Sequence, residues 1–187
     1  MTQKILIVFD LDGTLIHSIE DEDVDMTADL RHSNFNTWFR EGAIELIERL
    51  QKSFHVGVWT AATEDYAKPI VEKLFFKQQP FIFRTRKNCS TRFGGFYSSP
   101  LIIKRLKNIN YPLKLTLIVD DTPETYSENY GNAIPISSWE GEVEEGEHIL
   151  KNLGDYLEET FSEGVYYSVR SVDKQCWEQG PVGDLNI

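Results

Sequence analysis

Cysteine is scarce in this chain. The 187 residues hold only two, Cys89 and Cys176, far apart and outside any paired-ligand spacing. That excludes a disulfide framework and a thiolate zinc centre, and it fits a reducing compartment. Positive charge is also short: 19 Lys and Arg stand against 30 Asp and Glu, for a formal net charge of -11. So acidic a chain is a poor general binder of nucleic acid or anionic membrane, because both demand a basic surface. No apolar run approaches the ~20 residues that cross a bilayer. No secretory signal is visible at the N-terminus, and no repeat or low-complexity block interrupts the chain. The expectation is a soluble intracellular protein, cytoplasmic or nuclear, monomeric, and built as one domain with a real core.

What is present is organised around Phe9-Asp10-Leu11-Asp12-Gly13-Thr14-Leu15. It follows the apolar run Ile5 to Phe9, which has the pattern of a strand buried on both faces. Ending such a strand in two carboxylates costs stability unless something offsets the charge, and a divalent cation is the simplest candidate. A calcium loop of the EF-hand type does not fit. Leu15 stands where that loop needs Gly, and a strand rather than a helix precedes it.

Further strands are predicted at 55–59, 81–83, 115–119 and 133–136, with helices near 40–52, from Glu64 to Phe75, and over 145–161. Thr63 is the predicted N-cap of the second helix, which carries Pro69 inside it. Ser99-Pro100 predicts a helix start, with the helix running to about Asn108. Residues 18–38 are polar and acidic and are expected to form a short loop or small insertion. A basic run, Arg84 to Arg92, stands out against the acidic background. Strands alternating with helices predict a three-layer α/β sandwich on a mostly parallel sheet. Right-handed crossovers then bring Asp10, Asp12, Thr60, Asp120 and Asp121 to one rim, at the carboxyl ends of the strands.

Those residue types suit phosphoryl chemistry with Mg2+. Asp10 and one of Asp120 or Asp121 offer hard oxygen ligands, and the carbonyl of Asp12 can complete the protein's share. Asp10, ionised beside the metal, can attack phosphorus. Asp12 can act as acid and then base. Thr60 can hydrogen-bond a phosphate oxygen, and Lys104 can neutralise its charge. Taken singly, Lys104 reads as a solvated helical lysine and Thr60 as a structural threonine; their joint order on successive strand ends supports the functional reading.

Asp10-Leu11-Asp12-Gly13-Thr14-Leu15 resembles the first motif of the haloacid dehalogenase (HAD) superfamily, and its second aspartate resembles the phosphatase branch. With Ile16-His17-Ser18, Trp59-Thr60-Ala61-Ala62, Tyr66-Ala67-Lys68-Pro69 and Val119-Asp120-Asp121-Thr122-Pro123, the chain resembles the small C-terminal-domain phosphatases, or NLI-interacting-factor-like family. The family often has an acidic residue where this chain has Gly13. The resemblance implies a Rossmann-like HAD sheet over residues 1–170, at most a small cap insertion, and a weakly ordered tail over 171–187. It implies Asp10, Asp12, Thr60 and Lys104 as catalytic residues. Thr60, Ala61 and Lys104 would bind phosphate, and Asp10, Asp12, Asp120 and Asp121 would hold the metal, with Asp121 favoured over Asp120 as the direct ligand. It implies a Mg2+-dependent phosphatase acting through an aspartyl phosphate on a phosphorylated protein or peptide, at serine or threonine. Alternatives are a tyrosine-directed phosphatase, a nucleic-acid 3′-end or small-metabolite phosphatase, and a non-catalytic phosphopeptide-binding domain on the same fold.

Overall fold

The computed structural model describes residues 3–21, 23, 25–93, 100–142, 148–162, 168–175 and 177–179. In chain order the regular elements begin with β1 (Leu6–Phe9), β2 (Ile16–Glu20), β3 (Leu30–His32), β4 (Phe35–Phe39), α1 (Ala43–Leu50) and β5 (His55–Trp59). They continue with α2 (Glu64–Leu74), β6 (Phe83–Arg84), β7 (Ser90–Arg92), β8 (Leu101–Ile103), β9 (Thr116–Asp120), β10 (Ala133–Pro135) and α3 (Ile149–Phe161).

A five-stranded sheet in the order β10-β9-β1-β5-β6 forms the centre, and every pairing in it is parallel. β1 lies in the middle and is fully buried. Its side chains alternate between two cores. Ile5, Ile7 and Phe9 join the apolar faces of α1, α2 and α3, while Leu6 and Val8 pack with Trp59, Leu106, Ile118 and Tyr126. This is why the strand reads as a continuous apolar run. In α1 the buried stripe is Ala43, Leu46, Ile47 and Leu50, with Ile44 only partly covered.

Thr63 does precede α2 in an extended conformation, but its side chain makes no capping bond. Pro69 sits inside a helix that stays continuous from Glu64 to Leu74.

One expectation is corrected. The segment after Pro100 is not a helix: Leu101–Ile103 is a strand paired antiparallel with Ser90–Arg92, and Leu106–Ile109 is one 3-10 turn. Burial deepens along Leu101, Ile102 and Ile103, and the strand pairing outweighs the Ser-Pro start signal. Ser99 itself lies outside the described residues. Among those residues, the second face of the sheet is therefore covered by 3-10 turns and loops, while the α-helices pack on the first.

Residues 18–38, expected as a short loop or small insertion, fall mostly within an inserted antiparallel sheet, β2-β4-β3. The acidic run lies in the connection between β2 and β3. Buried Asn36 clasps that connection, donating from Nδ2 to the Asp23 carbonyl at 2.9 Å and accepting the Asp25 amide at 3.1 Å.

Trp177 is buried against α3 and donates from Nε1 to the Pro135 carbonyl at 2.5 Å. An indole buries a large apolar area, which offsets the entropy of holding the segment down. Residues 180–187 lie outside the described residues.

Candidate active site

The parallel register sets the site. Phe9 is level with Val58 on one side and Val119 on the other. Asp10 and Asp120, the next residues on β1 and β9, and Thr60, the residue just past the end of β5, therefore emerge together at the carboxyl rim, where open α/β sheets take their ligands. The Asp10 amide donates to the Val119 carbonyl at 3.0 Å, so Asp10 is still held by the sheet. Asp12 lies beyond it, where the loop folds back so that the Gly13 amide donates to the Ile16 carbonyl at 2.9 Å.

Gly13 has φ +75, and a Cβ there would lie 2.5 Å from Asp121 Oδ2 and 2.7 Å from Ser138 Oγ. Only glycine allows both that backbone conformation and that approach. The loop's back is held by Arg40, which is buried and donates from Nη1 to the carbonyls of Thr14 at 3.3 Å and Ser137 at 3.1 Å.

Lys104 is fully buried and placed between two carboxylates, 2.7 Å from Asp10 Oδ1 and 2.7 Å from Asp120 Oδ2. It arrives from the end of β8, and its amide donates to the Thr125 carbonyl at 2.8 Å. Burial alone lowers an ammonium's pKa, but Asp10 and Asp120 outweigh that, and Lys104 is held above its ordinary value. Asp120 is saturated: Oδ2 also accepts from Thr125 Oγ1 at 2.7 Å, and Oδ1 accepts from the Thr122 amide at 2.9 Å. Asp121 is less buried; its Oδ1 accepts from Thr14 Oγ1 at 3.1 Å, and its other oxygen faces Gly13.

The carboxylates of Asp10, Asp120 and Asp121 each offer an oxygen, and these oxygens lie within 4.8 Å of one another. Asp10 Oδ1 is buried and, apart from the Lys104 ion pair, has no directed hydrogen bond. Burial foremost, opposed by Lys104 and reinforced by Asp120, pushes Asp10 up to about 7 in the absence of a cation. One buried ammonium does not balance this set. A hard-oxygen cluster carrying excess negative charge fits a divalent cation such as Mg2+.

Asp12 stands apart from that cluster. Its Oδ1 accepts a short hydrogen bond from the Tyr66 hydroxyl. The surrounding protein displaces enough water to push its pKa up, with the Tyr66 bond opposing. With its carboxylate outside the cluster, Asp12 has its main-chain carbonyl to offer a cation.

Thr60 is buried, and its Oγ1 accepts from the Ala62 amide at 3.0 Å. A cavity of about 460 Å3 opens over Asp10, Asp12, Thr60, Ala61, Leu101 and Thr125. The basic run splits. Arg86 donates from Nε to the Ala61 carbonyl at 2.6 Å, at the edge of the site, whereas Arg84 lies over the Trp59 ring and donates to the Asn108 carbonyl at 3.0 Å. All the residues singled out in the sequence are thus brought to one rim. Arg40, Thr125 and the Tyr66 contact were not foreseen. Arg40 and Thr125 carry no local motif, and the Tyr66 pattern was noted without a role.

A parallel sheet with this aspartate loop at the end of its central strand is the HAD fold. It is shared with a variant of fission yeast RNA polymerase II CTD phosphatase Fcp1 solved with beryllium fluoride, at TM-score 0.56 and 15% identity over 81% of this chain and 49% of that one. Within that class the chain belongs to the NLI interacting factor-like phosphatase family, whose model matches residues 5–170. It is 30% identical over 150 residues to phosphatase PSR1 of Saccharomyces cerevisiae, covering 77% of this chain and 34% of that protein. It is 28% identical over 176 residues to the human carboxy-terminal domain RNA polymerase II polypeptide A small phosphatase 2, covering 89% of this chain and 61% of that protein. The chain thus spans from a third to three-fifths of the length of these two relatives.

Proposed function

We propose that this protein is a Mg2+-dependent phosphomonoester hydrolase acting through an aspartyl phosphate on phosphoserine or phosphothreonine in proteins. The observation that carries it is the rim itself: three carboxylates within 4.8 Å of one another, beside a buried lysine that touches two of them. The family match and the names of its relatives support the reaction class, and the human relative's name supports a phosphoprotein substrate. A cation held by Asp10 and Asp121, with Asp120 orienting Lys104, would supply charge neutralisation at the phosphoryl oxygens.

Asp10 attacks phosphorus through a carboxylate oxygen. The bond from phosphorus to the seryl oxygen breaks, and that oxygen takes its electron pair and a proton from Asp12. Asp12, now a carboxylate, takes a proton from water as the water oxygen attacks phosphorus; phosphate leaves, and Asp10 and the acid form of Asp12 are restored. Lys104 and Thr60 bind the phosphoryl oxygens throughout.

The test is hydrolysis of p-nitrophenyl phosphate with and without Mg2+, in wild type and Asp10→Asn. Magnesium-dependent turnover should fall by about 10³-fold or more in the variant, since no nucleophile remains. Turnover that ignores both changes would refute the reading. A panel of phosphoserine, phosphothreonine and phosphotyrosine peptides, nucleotides and sugar phosphates then ranks the substrate classes.

A further inference from the structure

The phosphoryl chemistry above gives Tyr66 no part, yet Tyr66 makes the one side-chain contact described for the Asp12 carboxylate. It lies in the first turn of α2, and its hydroxyl donates to Asp12 Oδ1. We propose that Tyr66 is a positioning residue that fixes the rotamer of Asp12 and directs its free oxygen at the leaving group, and that the inserted sheet serves this step by clamping the Tyr66 ring. The proposal rests on the acid–base role given to Asp12 above.

The clamp is built from two residues that face one another across β3 and β4, His32 and Phe35. Phe35 meets the Tyr66 ring edge-on, centroids 4.9 Å apart at 76°, and His32 lies against it at 5.3 Å and 57°. His32 and Phe35 also stack on each other at 5.7 Å. His32 is itself tied down: its Nε2 is 3.2 Å from Thr37 Oγ1, and Thr37 Oγ1 is 2.7 Å from Ser18 Oγ. A ring held on two sides has one place to put its hydroxyl. Burial, then the neighbouring Asp12 charge, pushes the Tyr66 pKa up, so the phenol remains a donor across the working pH range. With Oδ1 taken by the phenol, Oδ2 is the oxygen left to hold and deliver the proton. Orientation of this kind raises the rate because the proton donor is already aimed before the bond breaks.

The inference separates Tyr66 from a residue that merely packs. Protonation matters most when the leaving oxygen is a strong base. It matters little for nitrophenolate, which leaves unaided. The experiment measures kcat/KM, which reports the step in which the leaving group departs, with Mg2+ present. The substrates are a series of aryl phosphates of rising leaving-group pKa and a phosphoserine peptide.

In Tyr66→Phe the loss for the phosphoserine peptide should exceed the loss for p-nitrophenyl phosphate by about 10–100-fold, less than the full ~10²–10⁴-fold worth of general acid catalysis because Asp12 itself remains. The dependence on leaving-group pKa should steepen across the aryl series. His32→Ala should steepen it less. Binding of beryllium fluoride with Mg2+, which needs Asp10 and not Asp12, should be unchanged in both. An equal loss for every leaving group, or a rise in KM with kcat intact, overturns the proposal. Asp12→Asn in the same series keeps the two readings apart. If it fails to steepen the dependence, the acid role of Asp12 falls. If it steepens and Tyr66→Phe does not, only the role of Tyr66 falls.

Discussion

Two lysines are buried among the described residues, and the protein holds them in opposite ways. Lys104, at the rim, sits between Asp10 and Asp120 and is held above its ordinary pKa because those charges outweigh burial. Lys174, in the C-terminal segment, finds only backbone carbonyls, those of Val169 at 2.6 Å and Val172 at 2.5 Å. Burial pushes it down to about 8, against the pull of Asp173. A dipole satisfies an ammonium's hydrogen bonds but does not pay for its charge as a carboxylate does. The first lysine is locked in its charged form; the second is poised to lose its proton in mildly alkaline solution.

The largest expected effect tests the locked lysine. Lys104→Met leaves two buried carboxylates facing one another, and should destabilise the cation-free protein by about 3–5 kcal/mol. Urea unfolding in EDTA checks this. Added Mg2+ should recover part of the loss in a metal-dependent shift of the midpoint, while phosphatase activity stays lost. A variant as stable as wild type in EDTA would mean that Lys104 does not hold the carboxylates together.

A smaller effect is expected at Thr125, which donates to the same Asp120 oxygen as Lys104. Thr125→Val keeps the shape and removes one hydrogen bond to a charged group, at a cost of about 1.5–3 kcal/mol. A double-mutant cycle with Lys104→Met should show coupling, because both act on one oxygen. Strict additivity would break the picture of a shared carboxylate.

The test at Lys174 is a matter of slope rather than of a single loss. The amine titrates near 10.5 when free and near 8 in the fold. Between those values the unfolded chain binds the extra proton, so this group's contribution to stability rises with pH through that window, and the cost of burying its charge is fully present below about 8. Subtracting the pH–stability curve of Lys174→Met from that of wild type should isolate a rise from pH 8 to 10. A flat difference would place Lys174 with the paired lysine after all.

The rim was largely legible in the sequence, because its residues lie one step past apolar runs and the parallel sheet makes such steps coincide. Lys104 was found by family spacing although its secondary structure was misread. The strand over Leu101–Ile103 is too short to show a period, and the Ser99-Pro100 start signal pointed to a helix in its place. The insertion at 18–38 was expected, but its strands were not assigned, for a related reason. Its strands are three to five residues long, and the acidic connection between two of them dominates the composition. Arg40 and Thr125 could not be read at all, since each gains its meaning from a carbonyl or carboxylate distant in sequence.

The contact at Gly13 bears on how this chain can change. A side chain there meets Asp121 and Ser138 at once, in a backbone conformation that resists one. Tolerance at position 13 is therefore not a property of that position alone. Grafting a longer residue from another family member would require the loop to untwist and the 121 and 138 side chains to be rebuilt in the same step. Single-site scanning should report the position as closed, while libraries that vary all three together should recover working sequences. The aspartate loop and the carboxylate that follows β9 are thus one packing unit, and a change in either must be matched in the other.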